Sequence, residues 1–155
     1  MKINTALSAL ALTALAVFAA PGAAQAAAPS PASSASASMA APDGNLWAWD
    51  GINRGGVYCY WAGDDSDWTT CSGSSNNGTM RNRASSLENR GYAGSYDDVN
   101  LYWTTGYGGA KNCLPNGHYL NNLSGIYFLW DGNSGQGESM NNNISSHRWT
   151  NGCPV

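Results

Sequence analysis

From about residue 43 onward the chain alternates short apolar runs with Gly-, Asn-, Ser- and Asp-rich punctuation, spaced roughly every ten residues. The runs are Leu46-Trp47-Ala48-Trp49, Val57-Tyr58-Cys59-Tyr60-Trp61, Val99-Asn100-Leu101-Tyr102-Trp103 and Ile126-Tyr127-Phe128-Leu129-Trp130. Each is too short for a helix and rich in the aromatic and β-branched residues that suit a pleated surface, so each predicts a strand. Short strands between glycine-rich turns predict an all-β sandwich or barrel. In residues 57–61 the period of two places Tyr58 and Tyr60 opposite Val57, Cys59 and Trp61, so aromatic rings are expected on both faces of that strand.

The pattern also repeats. Met80-Arg81-Asn82-Arg83-Ala84-Ser85-Ser86 aligns with Met140-Asn141-Asn142-Asn143-Ile144-Ser145-Ser146, keeping the Met, the second Asn, an apolar residue and the Ser-Ser pair. Upstream of each copy an aromatic run leads to a Gly-Gly turn, from Trp49 to Gly55-Gly56 and from Tyr102 to Gly108-Gly109. Two related four-strand units packed face to face are the expected architecture.

The first residues have another character. Met1-Lys2, an uncharged Ala/Leu/Val-rich stretch over 6–20, then Pro21-Gly22 and Ala24-Gln25-Ala26 form the n-region, h-region and A-x-A site of a secretory signal peptide over 1–26. Residues 27–42 are almost entirely Ala, Ser and Pro and offer too little apolar surface to offset the entropy of ordering, so they read as a disordered linker. One domain is left, 43–155, and it holds all seven Trp and eight Tyr. Large rings take over much of the core from aliphatic residues.

Removing Lys2 with the signal leaves six basic against ten acidic residues, a formal charge of −4. That sign disfavours nucleic acid as a partner, and nothing in the processed chain holds it to a membrane. Export would place Cys59, Cys71, Cys113 and Cys153 where disulfides persist. Of three possible connectivities, Cys59 with Cys71 and Cys113 with Cys153 is favoured, the first flanking a hairpin-like loop and the second tying down the C-terminus. No C-x-x-C occurs to suggest a thiolate metal site.

Tyr102-Trp-Thr-Thr-Gly106-Tyr107-Gly108-Gly109 spaces two aromatics and a glycine as in a folded hairpin with a ring lying over the turn. It resembles the Greek-key signature of the βγ-crystallin superfamily, and the first unit carries a degraded copy with Arg54 in place of the second aromatic. The resemblance implies a βγ-crystallin-like Greek-key sandwich. Asn141-Asn142-Asn143-Ile144-Ser145-Ser146 fits the Asn/Asp-Asn/Asp-x-x-Ser/Thr-Ser pattern of calcium-binding members, whose oxygen ligands suit that ion. By that resemblance Asn141, Asn142, Asn143 and Ser145, with Ser85 from the other stretch, are the candidate calcium ligands. Arg81 occupies the matching first position of the other stretch, so one Ca2+ at most is expected, and no cofactor is required.

A resemblance over about residues 44–153 is more specific. Leu46-Trp-Ala-Trp, Asp64-Asp-Ser-Asp-Trp68, Cys71, the Met80 to Asn89 stretch, Tyr96-Asp-Asp-Val-Asn-Leu-Tyr102 and Ser145-Ser-His-Arg-Trp149 are similar to secreted actinobacterial peptidase inhibitors of the streptomycete metalloproteinase inhibitor type. What that implies is a secreted, monomeric inhibitor of an extracellular peptidase, thermolysin-like zinc enzymes among the targets. Such a role needs a loop already held in its bound shape. The segment closed by Cys59 and Cys71 is the candidate, with Tyr60, Trp61, Ala62 and Trp68 as its apolar contacts and Asp64-Asp65-Ser66-Asp67 as a solvated hairpin tip.

Catalysis finds little support. There are two histidines, His118 and His147, and neither H-E-x-x-H nor G-x-S-x-G occurs. His147 stands where Leu87 stands in the other copy and reads as a packing or surface residue. Glu88 and Glu138 could form a glycosidase-type pair only if the fold brought them together. The competing readings are a calcium-binding structural module, a carbohydrate-binding module and a secreted toxin or antifungal protein. Fold by itself does not choose among them.

Overall fold

The computed structural model describes residues 39–73 and 79–153. The expected signal peptide and most of the expected linker lie outside the described residues. Among the described residues there are eight strands: β1 (Leu46–Trp49), β2 (Tyr58–Trp61), β3 (Ser72–Gly73), β4 (Ser86–Asn89), β5 (Asp98–Thr104), β6 (Gly108–Leu114), β7 (Tyr119–Leu120) and β8 (Ser146–Thr150). They form two antiparallel sheets, ordered β3-β2-β1-β4-β7 and β6-β5-β8. The all-β, βγ-crystallin-like sandwich of two related units is therefore the fold observed.

The two units are interlocked. In the first sheet β4 of unit one pairs with β7 of unit two, Leu87 opposite Leu120. In the second sheet β8 of unit two is bridged by Asp65 of unit one, opposite His147. Since Leu87 and His147 are equivalent in the repeat, each unit lends its third segment to the other's sheet. Asp65 N donates to His147 O at 3.1 Å and His147 N to Asp65 O at 2.9 Å. The acidic run is thus tied to the second unit by one isolated bridge at Asp65 rather than standing free as a hairpin tip, and the half-buried Asp65 carboxylate accepts from Asp67 N while Asp64 and Ser66 lie at the surface.

The repeat is legible atom by atom. Met80 and Met140 are fully buried, as are Ala84 and Ile144. Asn82 and Asn142 take the left-handed conformation with φ of 55° and 59°, which Asn tolerates better than other side chains. Asn82 N donates to Ile144 O at 2.8 Å and Asn142 N to Ala84 O at 2.9 Å, each turn gripping the other. The second serine of each pair staples its own unit's hairpin. Ser86 Oγ donates to Gly51 O (2.7 Å) and accepts from Arg54 N (3.0 Å). Ser146 Oγ donates to Thr104 O (2.6 Å) and accepts from Tyr107 N (3.2 Å). Arg54 and Tyr107 share φ near 60°, at 61° and 59°, so the residue replacing the aromatic keeps the backbone of the motif. Tyr107 meets Tyr102 edge to face at 5.9 Å.

The core draws on both sheets, with Leu46, Ala48, Leu87, Val99, Leu101, Leu114 and Phe128 at its centre. On the other face of β1, Trp47 stacks on Tyr60 at 4.8 Å, lies 5.4 Å from Tyr58 and carries the Arg90 guanidinium at 4.5 Å. Rings on both faces of β2 are as its alternation requires. Beside them Glu88, fully buried, takes Arg90 at 2.8 Å and Arg54 at 3.2 Å. The other Glu88 oxygen accepts from Ala40 N at 2.9 Å, so the folded part reaches back into the Ala/Ser/Pro-rich stretch.

One expected strand is absent. Residues 126–129 keep the in-out alternation, Phe128 being buried and Tyr127 and Leu129 exposed, and Trp130 breaks it by facing solvent. Their backbone, however, spends its bonds singly on a neighbouring loop and on β6: Phe128 N on Glu138 O, Leu129 N on Lys111 O, with a single bridge from Tyr127 to Ser139. Alternation survives there without a ladder.

Candidate functional site

Both disulfides join the favoured partners, Cys59 to Cys71 across a separation of 12 and Cys113 to Cys153 across 40. Two bridges in a chain of this size indicate an oxidising compartment. Among the described residues, no helix is long and apolar enough to cross a membrane.

Residues 62–70, inside the first disulfide, are held from below by side chains that point inward. Trp68 is completely buried, Trp61 is 8% exposed, and their rings stack at 4.5 Å. These two are therefore corrected from contact residues to anchors: indole area of that size is worth more in the core than in solvent. Tyr60 is half-buried against Trp47, and of the four Ala62 alone is exposed. Gly63, Asp64, Ser66, Thr69 and Thr70 join Ala62 at the surface.

His147 is the post on which the loop rests. Its ring is fully buried, accepts at Nδ1 from Trp68 Nε1 (2.7 Å) and faces Gly63 O from Nε2 (2.8 Å). An indole nitrogen can only donate, so the proton must sit on Nε2 and be donated to Gly63. Burial pushes the imidazole down from 6.5 to about 4, outweighing the Gly63 carbonyl and the Asp64 charge, which favour protonation. His147 is thus a neutral packing residue. Further ties come from Trp149 N to Asp64 Oδ1 (2.8 Å), Asp67 N to Asp65 Oδ1 (2.7 Å), Thr69 N to Asp67 Oδ1 (3.1 Å) and Trp68 N to Ser145 O (2.9 Å). The sequence gives no sign of this buttress beyond the substitution of His for the Leu of the other copy.

The calcium candidates fall at the junction of the two units. The Asn142-to-Ala84 bond lays the turn at Asn141, Asn142 and Asn143 beside Ser85. Asn142 is exposed, Asn141 and Asn143 are half-buried, and Ser85 is 8% exposed. Asn143 Nδ2 is used on Ser139 O at 2.8 Å. Ser145 is 1% exposed, and its hydroxyl is within bonding distance of Asn82 Oδ1 (2.8 Å) and Trp103 O (3.0 Å). It lies on the opposite side of the junction, with Asn82, so the five candidates are not one cluster. Beside Asn82, Arg81 faces Asp67 at 3.9 Å. The group Asp98, Cys113 and Cys153 also clusters its ligand atoms, but both sulfurs are in a disulfide.

Glu88 is enclosed by arginines in β4 and Glu138 is exposed on a loop, so they form no acid–base pair. His118 is likewise exposed.

No protein-family model and no curated protein sequence matches the chain. Solved structures similar to it include one described as "Evolution of the eye lens beta-gamma-crystallin domain fold", 16% identical with a TM-score of 0.49, covering 72% of this chain and 88% of its own. A "beta gamma crystallin from Ciona Intestinalis" is 14% identical at a TM-score of 0.47, covering 69% and 100%. A "betagamma-crystallin from an Archaea" is 17% identical at 0.46, covering 68% and 95%. These are likenesses of architecture, and no residue role is carried over from them.

Proposed function

We propose that the protein is a secreted peptidase inhibitor that presents residues 62–70 to its target. The supporting observation is the bracing of that loop. Its exposed backbone is closed by Cys59–Cys71 and fixed from inside by Trp61, Trp68 and His147. A segment already ordered gives up little entropy on binding. Should a peptidase cut it, the disulfide and the bonds on either side would hold the new ends together, so product does not leave and the enzyme stays occupied. The resemblance to the streptomycete inhibitor type points the same way. Titrating the mature domain against a thermolysin-like metallopeptidase and a subtilisin-like serine peptidase tests the reading. Saturable inhibition with an endpoint near one to one is expected; full peptidase activity in the presence of micromolar domain would defeat it.

A calcium ion is a second, compatible reading, and it is favoured by the difference between two equivalent serines. Ser145 Oγ is engaged by Asn82 and Trp103, whereas among the described residues the Ser85 hydroxyl has no hydrogen-bond partner. Ser85 with Asn141 and Asn142 offers neutral oxygens of the kind calcium accepts. A bound ion would add positive charge that ties the second unit's turn to the first unit's serine. Calorimetric titration with calcium tests it, and the absence of heat at millimolar calcium would exclude it.

A further inference from the structure

We propose that the surface cleft formed by Gly44, Ala62, Gly91, Tyr92, Tyr96 and Trp149 binds a neutral sugar ring of an extracellular polysaccharide, independently of any peptidase. The inference does not rest on the inhibitor reading.

The cleft is built of rings laid on glycines. A Cβ on Gly44 would come within 2.8 Å of Tyr92 Cε2, and one on Gly91 within 2.7 Å of Trp149 Cζ3. Both rings therefore rest directly on backbone that only glycine leaves open. The backbone beneath is fixed: Asp43 N and Gly44 N both donate to Arg90 O at 2.9 Å, and Gly91 N donates to Asn89 Oδ1 at 2.9 Å. Asn116 Nδ2 donates to Gly91 O at 2.9 Å, and Gly94 N to Asp97 Oδ2 at 2.9 Å. On this frame Tyr92 and Tyr96 are 69% and 66% exposed. Tyr96 also holds a left-handed backbone with φ of 58°, which costs an aromatic residue free energy that no core contact of its ring returns. Seated, solvent-facing aromatics lose little freedom when something stacks on them.

The chemistry of the lining selects the occupant. No charged side chain lines the cleft. Carboxylates adjoining the lining residues are already engaged, Asp43 by Trp47 Nε1 and Arg90, Asp64 by Trp149 N and Arg148, Asp97 by Gly94 N. An ion gains nothing there. The hydroxyls of Tyr92 and Tyr96 make no hydrogen bond to another described residue, so a purely apolar side chain would strand them. A pyranose with equatorial substituents offers a flat C–H face for the rings and a rim of hydroxyls for the two phenols. Glucose and N-acetylglucosamine in β-1,4 linkage have that shape.

The test uses the intact mature domain, titrated by heteronuclear NMR with the soluble β-1,4 hexasaccharides of glucose and of N-acetylglucosamine, up to about 10 mM. Shifts confined to residues around 43–45, 62, 91–97 and 149 are expected with at least one of them. Tyr92→Ala and Tyr96→Ala should each weaken binding roughly tenfold at unchanged melting temperature, while Trp130→Ala, on a separate exposed ring, should leave it intact. No shift with either sugar, shifts centred on Trp130, or indifference to both tyrosine substitutions would overturn the proposal. Loss of peptidase inhibition in the tyrosine variants without any sugar-induced shift would overturn it too, assigning the cleft to the peptidase-facing surface.

Discussion

The indole N–H of Trp68 donates to Nδ1 of His147 across 2.7 Å inside the core, which fixes the tautomer of an imidazole that burial keeps neutral. In the unfolded chain the imidazole takes a proton below about 6.5; in the folded protein it does so only near 4. Between those values the unfolded state binds more protons, so stability rises with pH across the window and is fully present above it. Acidification from pH 7 to 4 should therefore cost about 3 kcal/mol from this residue alone. Urea denaturation at several pH values measures it. His147→Leu should be less stable at pH 7 by about 2 kcal/mol, since Trp68 Nε1 and Gly63 O lose their partner, yet should fall less on acidification. Equal acid sensitivity in the two proteins would show that His147 is not the group responsible.

Glu88 has no exposure and two arginines. Truncating it leaves Arg54 and Arg90 facing a low-dielectric interior with less compensation. Glu88→Ala is expected to destabilise by about 3–5 kcal/mol, far more than Asp67→Ala, whose partner Arg81 is 3.9 Å away at the surface. Thermal denaturation of the two variants side by side checks the ranking.

For calcium, the expectation is a site at Asn141, Asn142 and Ser85. At free calcium 100-fold above the dissociation constant the domain should gain about 2.7 kcal/mol. Asn141→Ala and Ser85→Ala should abolish that gain. Arg81→Asp, which restores an oxygen donor in the first unit's stretch, should raise the stoichiometry from one ion towards two, read by calorimetric titration. A gain that persists in Asn141→Ala would place the ion elsewhere.

The two disulfides differ in the loops they close. With separations of 12 and 40 residues, chain entropy assigns about 3 kcal/mol to Cys59–Cys71 and about 4 to Cys113–Cys153. Replacing both cysteines of the longer bridge by serine should cost more stability. Replacing those of the shorter should cost inhibition, converting the loop at 62–70 from an obstacle into a substrate. Mass spectrometry of peptidase digests distinguishes these outcomes.

What the sequence made legible was whatever it states twice. Met80 with Met140, Asn82 with Asn142 and the two Ser-Ser pairs carry enough chemistry to align the units, and the aromatic runs at β1, β2 and β5 announce strands by their alternation. The crossovers left no such trace. Asp65 and Tyr119–Leu120 pair through backbone over one or two residues, and a hydrogen-bonded backbone has no composition. The alternation of β2 already places Trp61 on the inward face with Cys59, whereas Trp68 looks like any loop aromatic until His147 of the neighbouring unit is seen to hold it. Tyr92 and Tyr96 sit in a short loop with no periodicity, and only the glycine beneath the Tyr92 ring and the left-handed backbone of Tyr96 mark them out.

The exchange of third segments between the units has a kinetic side. Residue 65 closes the second sheet and residues 119 and 120 extend the first, so neither sheet can peel away while the other stays whole. Partial opening is then a poor route to chain cleavage, and a protease has to wait for the rare event in which both halves come apart together. Survival among hydrolases would be governed by a slow clock, the unfolding rate, more than by the depth of the free-energy well.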